Sequence, residues 1–386
     1  MSSGPSTREE RVLGIIETAR AKRPRFKDER ITMAHGAGGR ATQTLIEGLL
    51  VPAFASPEPA PLDDAARLPL GEARDRAMAL AYAATREPAA ARALVPSLVF
   101  TTDSFVVTPL QFPGGSIGEL AVNGTVNDLA VAGAHPLALS LAMILEEGLS
   151  ADVLRAEVEA VAQAAEAAGV RVLTGDTKVV ERGKCDGMYL CTTGIGQLDP
   201  RARLSTQALR PGDRVIVSGS IGDHGTAIML ARGELGLEAD VVSDTRPLWP
   251  AVDALLDAAG PCLHCMRDAT RGGVASVLNE LARAAGVAVA VREADVPVRP
   301  EVAGAAELLG IDPLYVANEG TLVAFVAPER AEDALAALRT AAPAFAAAAD
   351  VGEVRAEPEA MVMLETAFGG RRVLDQLVGD PLPRIC

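Results

Sequence analysis

Apolar runs of strand length alternate with longer amphipathic stretches in two successive blocks, and this alternation limits the chain to a mixed α/β (α+β) architecture. In the first block Leu98 to Thr102 reads as a strand, Gly118 to Ala132 as a helix and Leu137 to Leu145 as a second strand. Ala151 to Ala168 follows as a long alanine-rich helix, with Val170 to Thr174 as the strand after it. The second block opens at Pro211-Gly212-Asp213. There, Arg214 to Ser218 is a strand entering a glycine-rich turn, helices fall at about 223–232, 271–285 and 329–341, and strands lie near 287–291 and 320–326. A last helix is expected from Glu365, and Arg201-Ala202-Arg203 through Arg210 is the expected linker between blocks. The chain thus divides into a flexible arm at 1–30, an N-terminal domain at 31–205, a C-terminal α/β domain at 211–365, and a helix with a mobile tail at 366–386. An Ala/Arg/Glu-rich stretch at about 71–96 reads as a surface insertion in the first domain.

Hydrophobic residues make up 49% of the 386 positions but aromatics only 3%, so the cores must be built mainly from alanine, valine and leucine. The net charge of −15, with no basic stripe, excludes nucleic acid and anionic lipid as partners. A phosphate ligand would need local donors or a metal to offset that charge. Five scattered cysteines (Cys185, Cys191, Cys262, Cys265 and Cys386) do not make a disulfide framework. Cys262-Leu263-His264-Cys265 supplies half of a tetrahedral zinc site, with only Cys185 and Cys191 to complete it. His135 before Pro136 reads as a turn or core residue, and His224 either touches a nucleotide or starts a helix. The most apolar stretch, Leu129 to Leu145, is interrupted by Gly133, His135 and Pro136, so it reads as helix, turn and buried strand. With no secretory pattern at the start, the expected location is the cytoplasm.

Acidic residues recur where strands end or turns begin: Asp63-Asp64, Asp103, Asp128, Asp176 and Asp268. Each alone suits a helix cap or a turn. Hard oxygen ligands also suit magnesium, which bridges carboxylates to nucleotide phosphates. Glycines keep them company. His35-Gly36-Ala37-Gly38-Gly39 opens a helix and can offer bare backbone N–H groups to an anion, as can Gly219 to Gly225 and Arg271-Gly272-Gly273. No Walker A loop and no dinucleotide fingerprint occurs. Asn123 and Asn127 lie one turn apart on a helix otherwise made of small apolar residues, so both amides face one way. At the far end, Pro381-Leu382-Pro383-Arg384-Ile385-Cys386 is an extended segment that ends in a soft nucleophile.

These strings together resemble the hydrogenase maturation HypE family. The resemblance is carried by Thr101 to Val107, Phe112 to Gly115, Asn123 to Asp128, Gly175 to Val180, Asp268 to Gly273, Asn318-Glu319-Gly320 and the ending Pro383-Arg384-Ile385-Cys386. It spans nearly everything from His35 to Cys386. It implies a two-domain synthetase-like fold, shared with aminoimidazole ribonucleotide synthetase and selenophosphate synthetase. The N-terminal sheet of such a fold pairs with a second subunit, giving a homodimer. It implies ATP and Mg2+, bound without a P-loop, and a carbamoyltransferase partner, HypF, which loads the terminal thiol. The S-carboxamide on Cys386 would then be dehydrated to an S-cyanide for delivery to a HypC–HypD complex.

By matching motifs the resemblance makes Lys178 the phosphate-facing cation and Glu319 the base. Asp64, Asp103, Asp128 and Asp268 become the metal candidates. Asp63 and Asn127 stand beside them, with Gly36, Gly38, Gly39, Asp176, Thr177 and Gly272 around the nucleotide. His35 lies at the glycine loop, near the tail or the phosphates. Two positions depart from the family: Asn123 stands where a cysteine is common, and Ser116 where an acid is. Two other readings stay open from the residues alone. One is a synthetase acting on a free small molecule, against which the loop at His35 counts because it carries no cysteine. The other is a carrier whose tail only shuttles a group.

Overall fold

The computed structural model describes residues 39–45, 47–48, 66–67, 97–233 and 239–377. The arm, the insertion and the tail expected from the sequence lie outside the described residues, as do His35, Gly36, Gly38, Asp63, Asp64 and Cys386.

The first block begins with α1 (Arg40–Leu45), β1 (Ala66–Arg67) and β2 (Leu98–Phe105). A small ribbon, β3 (Gln111–Phe112) and β4 (Gly115–Ser116), leads into α2 (Ile117–Val131) and β5 (Ala134–Glu146). Then come α3 (Ala151–Ala167), β6 (Arg171–Val180) and β7 (Met188–Leu198). The sheet has the order β1-β2-β7-β5-β6, with β5 and β6 parallel across the α3 crossover and the other neighbours antiparallel. One face packs on α2 and α3 through Val122, Val126, Leu139 and Val161. The other face leaves Phe100, Leu137, Ile144 and Ile195 exposed, and the edge strand β6 exposes Val172, Leu173 and Val179.

The second block contains β8 (Arg214–Val217), α4 (Asp223–Ala231), α5 (Trp249–Ala259), β9 (Leu263–Asp268) and α6 (Gly273–Ala285). It continues with β10 (Ala288–Arg292), α7 (Pro300–Leu309), β11 (Leu322–Val326), α8 (Ala331–Ala341) and β12 (Ala349–Arg355). Two short strands, β13 (Val362–Glu365) and β14 (Arg371–Val373), complete a seven-stranded sheet ordered β14-β13-β10-β12-β8-β11-β9. Every residue of β11 is buried because both faces are covered. Val323 and Phe325 pack toward α6, while Leu322, Ala324 and Val326 pack toward α5 and α8.

Three expectations need correction. No helix follows Glu365: Thr366 N–H donates to Gly370 O (2.8 Å), which closes a turn at two glycines and returns the chain as β14 against β13. Asp103 and Asp176 are not at strand ends but inside β2 and β6, since both strands run several residues past the apolar runs that suggest them. Beyond the apolar runs β2 adds Asp103, Ser104 and Phe105 and β6 adds Gly175 to Val180, mixed stretches whose polar residues interrupt the apolar pattern, so an apolar run could not mark them. Among the described residues no helix is long and apolar enough to cross a membrane.

The helix α2 joins the blocks. Only Glu119 and Asp128 along it escape burial, as its near-continuous apolar sequence requires. It touches β2, β5, β7 and α3 on one side and α5 and β9 of the second block on the other. A strap at 241–248 crosses the same seam. Ser243 N–H donates to Pro113 O (2.8 Å), and Asn123 Nδ2 donates to Thr245 Oγ1 (3.1 Å). Asn127 donates from Nδ2 to Arg246 O (3.0 Å) and Glu319 O (3.1 Å), and its Oδ1 accepts from Leu248 N–H (2.7 Å). Asn123 and Asn127 do face the same way, toward the second block. Asn127→Ala should leave a buried N–H and two carbonyls short of partners and cost about 2–4 kcal/mol. Urea denaturation reads this directly, and an unchanged midpoint would show that the seam does not need the amide.

Candidate active site

Glu319 sits where the seam is tightest. Asn318-Glu319-Gly320 precedes β11, beside the turn that follows β9, and the two loops are stitched together. Asn318 Nδ2 donates to Ala269 O (2.8 Å), its Oδ1 accepts from Gly222 N–H (2.7 Å), and Ala269 N–H donates to Thr321 O (2.9 Å). Asp268 ends β9 and is buried, and the Arg271-Gly272-Gly273 turn opens α6. Gly272 and Gly273 take φ of +78° and +63°, and a Cβ on Gly273 would stand 2.6 Å from the carbonyls of Leu314 and Val316. Only glycine fits there.

From the first block come Asp103 and Asp128. Thr101 Oγ1 donates to Asp128 Oδ2 (2.7 Å), and Asp103 Oδ1 accepts from Ser104 N–H (2.7 Å). Burial pushes the Asp103 carboxyl up, while Ser104 N–H and the Arg271 guanidinium across the seam pull it back. The elements that carry Asp103, Asp128, Asp268, Gly272 and Glu319 therefore meet at one junction, with Asn127 as its clamp. All the carboxylates offer hard oxygen. Among the described residues no three His, Cys, Asp or Glu side chains are grouped closely enough to hold a metal ion. By type, carboxylate oxygens are ligands that magnesium takes, and they supply none of the sulfur or imidazole of a zinc cage.

Lys178, Asp176 and Thr177 are elsewhere in the chain. They lie on β6, three strands from Asp103, or about 14 Å at normal strand spacing. Lys178 and Asp176 project from the open sheet face, while Asp103 faces the helices. Lys178 Nζ pairs with Asp176 Oδ2 (2.6 Å), both well exposed, and Thr177 N–H donates to Asp176 Oδ1 (2.9 Å). Lys178, then the Thr177 N–H, hold the Asp176 carboxyl below its ordinary range. Gly39 starts α1, and the next amide, Arg40 N–H, donates to Leu377 O (3.3 Å). The start of α1 thus meets Leu377, the last described residue.

Sequence reasoning missed Asp244 and Asp223. Asp244 stands in Ser243-Asp244-Thr245-Arg246-Pro247, without glycine company, so nothing marked it. Its buried carboxylate accepts from Glu319 N–H (2.9 Å), Gly320 N–H (3.0 Å) and Thr321 Oγ1 (3.0 Å). Asp223 lines a cleft of about 490 Å³ with Ser220, Asp244, Arg246 and Arg299. Its Oδ2 lies 3.4 Å from Arg299 Nε, and its Oδ1 has no partner. His224 is a core residue: Nδ1 shares a hydrogen bond with Ser243 Oγ (2.8 Å), and the ring stands edge-on to Phe112. His135 stacks edge-on to Trp249, and Cys265 is buried in the core, so neither belongs to the junction. The two family departures are local: Ser116 Oγ and Asn123 Oδ1 are buried without partners.

Two α/β blocks closed on a buried helix, with carboxylates and glycine turns at their junction, define a protein of the AIR synthase related class. Residues 89–198 match the N-terminal domain of AIR synthase related protein and residues 210–365 its C-terminal domain. A Rhodobacter capsulatus protein named carbamoyl dehydratase HypE is 50% identical over 361 residues, which are 94% of this chain and 99% of the relative. The crystal structure of a HypE–HypF complex matches with a TM-score of 0.76 at 39% identity, covering 86% of this chain and 99% of the other. The structure of hydrogenase maturation protein HypE in complex with ATP matches with a TM-score of 0.72 at 43% identity, covering 92% and 100%. The chain belongs to the HypE family of carbamoyl dehydratases, which are hydrogenase maturation proteins.

Burial pushes the Asp223 carboxyl up to about 6, with Arg299 opposing and Asp244 adding to the rise. The folded chain therefore keeps this proton through a window where the unfolded chain has lost it, and stability falls as pH rises from about 4 to 6. Asp223→Asn should match the parent at pH 4 and exceed it at pH 8 by on the order of 1–2 kcal/mol, as read by thermal or urea unfolding. A variant that is no more stable at pH 8 would contradict this.

Proposed function

We propose that this chain uses ATP to dehydrate an S-carboxamide on its own Cys386 to a thiocyanate, the source of the cyanide ligand in nickel–iron hydrogenase maturation. The observation that carries the reading is the seam: a buried glutamate, Glu319, is tied through its carbonyl to Asn127 of the helix that also carries Asp128. An amide oxygen is a poor leaving group. Transfer of the γ-phosphoryl group to it, with loss of one nitrogen proton, gives an O-phosphoryl imidate whose leaving group is phosphate; Glu319 takes the second nitrogen proton, and the C≡N bond forms as phosphate departs. The amide oxygen leaves in phosphate, so the sum is loss of water paired with ATP cleavage to ADP and phosphate. Asp103, Asp128 and Asp268, with Asp64, would hold magnesium, which offsets phosphate charge. The buried seam keeps water from the activated amide.

Nine residues, 378–386, separate Leu377 from the terminal sulfur, and an extended chain of that length spans up to roughly 30 Å. The root of the tail, Leu377, accepts a hydrogen bond from Arg40 N–H, the residue after Gly39, and this supports the segment of His35, Gly36, Gly38 and Gly39 as the tail's receiving site. We assign the nucleotide to residues of 31–205, with Asn127 and Gly272 around it in one copy and Asp176 and Thr177, from the open sheet face, reaching a nucleotide only across a homodimer, and 211–365 to the domain that brings Glu319. Phe100, Leu137, Ile144 and Ile195 make an uncovered apolar sheet face, which supports a homodimer across it. Lys178 lies on that face and would then serve a site completed by the second copy. A relative in complex with HypF supports HypF as the carbamoyl donor, and HypC–HypD as the acceptor is what the family resemblance implies. The setting is the cytoplasm.

Mass spectrometry of the C-terminal peptide after carbamoylation tests the reaction. The carbamoylated peptide should lose one water only when ATP is present. Lys178→Ala and Glu319→Gln should each slow that loss by about 10²–10⁴-fold. Truncation of Cys386 should spare ATP binding and abolish carbamoyl-dependent phosphate release. An adduct that persists unchanged with ATP, or phosphate release that survives truncation, would overturn the proposal in favour of a carrier or of a free-substrate synthetase respectively.

A further inference from the structure

We infer that Asp244 is a positioning residue for the dehydration, setting the place of Glu319 through the backbone of the Glu319 loop. The inference rests on the reading of Glu319 as the base. Asp244 is 2% exposed, and its carboxylate takes three donors from three consecutive residues: Glu319 N–H, Gly320 N–H and Thr321 Oγ1. Burying a carboxylate is unfavourable unless its oxygens are met, and here both are used on one loop. The other side of the same peptide is also held, because Asn127 Nδ2 donates to Glu319 O (3.1 Å). With N–H and C=O both pinned, Glu319 keeps only its side-chain torsions.

Contact between strap and loop is direct. A Cβ on Gly320 would lie 1.9 Å from Asp244 O and 2.8 Å from Arg246 Nε, so the strap rests on the loop with no side chain between them. Arg246 Nε donates back to Asp244 O (2.7 Å), and Ser243 Oγ accepts from Thr245 N–H (3.1 Å), which stiffens the strap itself. The strap is tied in turn to the first block at Pro113, Asn123 and Asn127. Asp244 therefore links a base carried by the second block to the block that carries Asp103 and Asp128. A displacement of about 1 Å at such a site is enough for a hundredfold rate loss.

The test compares Asp244→Asn, Glu319→Gln and the double variant in the full chain with carbamoylated Cys386. Turnover is read by ATP-dependent water loss, ATP affinity by titration, and folding by thermal melting. Asp244→Asn should lower kcat by about 10–100-fold and leave ATP affinity within about threefold. It should add little in the Glu319→Gln background, since the two act as a unit. A purely structural Asp244 predicts a lowered melting temperature with kcat per folded molecule unchanged, or losses that multiply in the double variant, and either result overturns the inference. If Asp244→Asn does not fold, Thr321→Val removes one donor and keeps the charge. It should slow turnover about 3–10-fold, and unchanged turnover there also overturns the inference. Full activity in Glu319→Gln alone would bring down the reading of the base itself, whatever Asp244→Asn does.

Discussion

The structure depends on closing one seam, where α2 lies between the first sheet and the second domain. A helix with apolar surface on all sides has no stable place at a protein surface, so it draws both blocks onto itself. Small residues make the approach possible. A Cβ on Gly118 would sit 2.4 Å from Glu157 O, and one on Gly124 would sit 2.9 Å from the Phe105 ring. A chain with only 3% aromatics builds its cores from close backbone approach more than from large side chains.

The same seam decides where polar groups can go. Asn127 would be a liability in an apolar helix, yet each of its amide atoms has a partner on the strap or the Glu319 loop. The seam is thus polar where hydrogen bonds fix register, and its buried acid Asp244 is met by three donors on the Glu319 loop. In a chain of net charge −15, a buried carboxylate lasts only with such donors. The linker shows a similar economy: Arg201 pairs with Asp199 and Asp253 (2.7 Å each) and with Asp257, tying the end of β7 to α5.

Local pattern carried most of the fold. The α3 helix, the strands on either side of it and the restart at Arg214 were legible because periodicity and glycine turns act over a few residues. The error after Glu365 has the same origin, since β13 is too short to show alternation and the Thr366–Gly370 turn is recognised only by its hydrogen bond. Among the candidate residues, Asp268 and Gly272 stood out by their acid–glycine motif, and Glu319 was reached through the family resemblance. Asp244 was not, because its role exists only through three donors some 75 residues away along the chain.

By itself the amino-acid order determined the two α/β blocks, the acid and glycine motifs, the family and the thiol at the chain end. These are short-range or compositional facts, written wherever a residue sits. Tertiary structure alone decided which of the acids meet and which buried carboxylate holds Glu319. It also decided that Lys178 stands on an open sheet face away from them. Those outcomes follow from strand order and from one helix packing against two layers, and long-range pairing of that kind leaves no local trace in the chain.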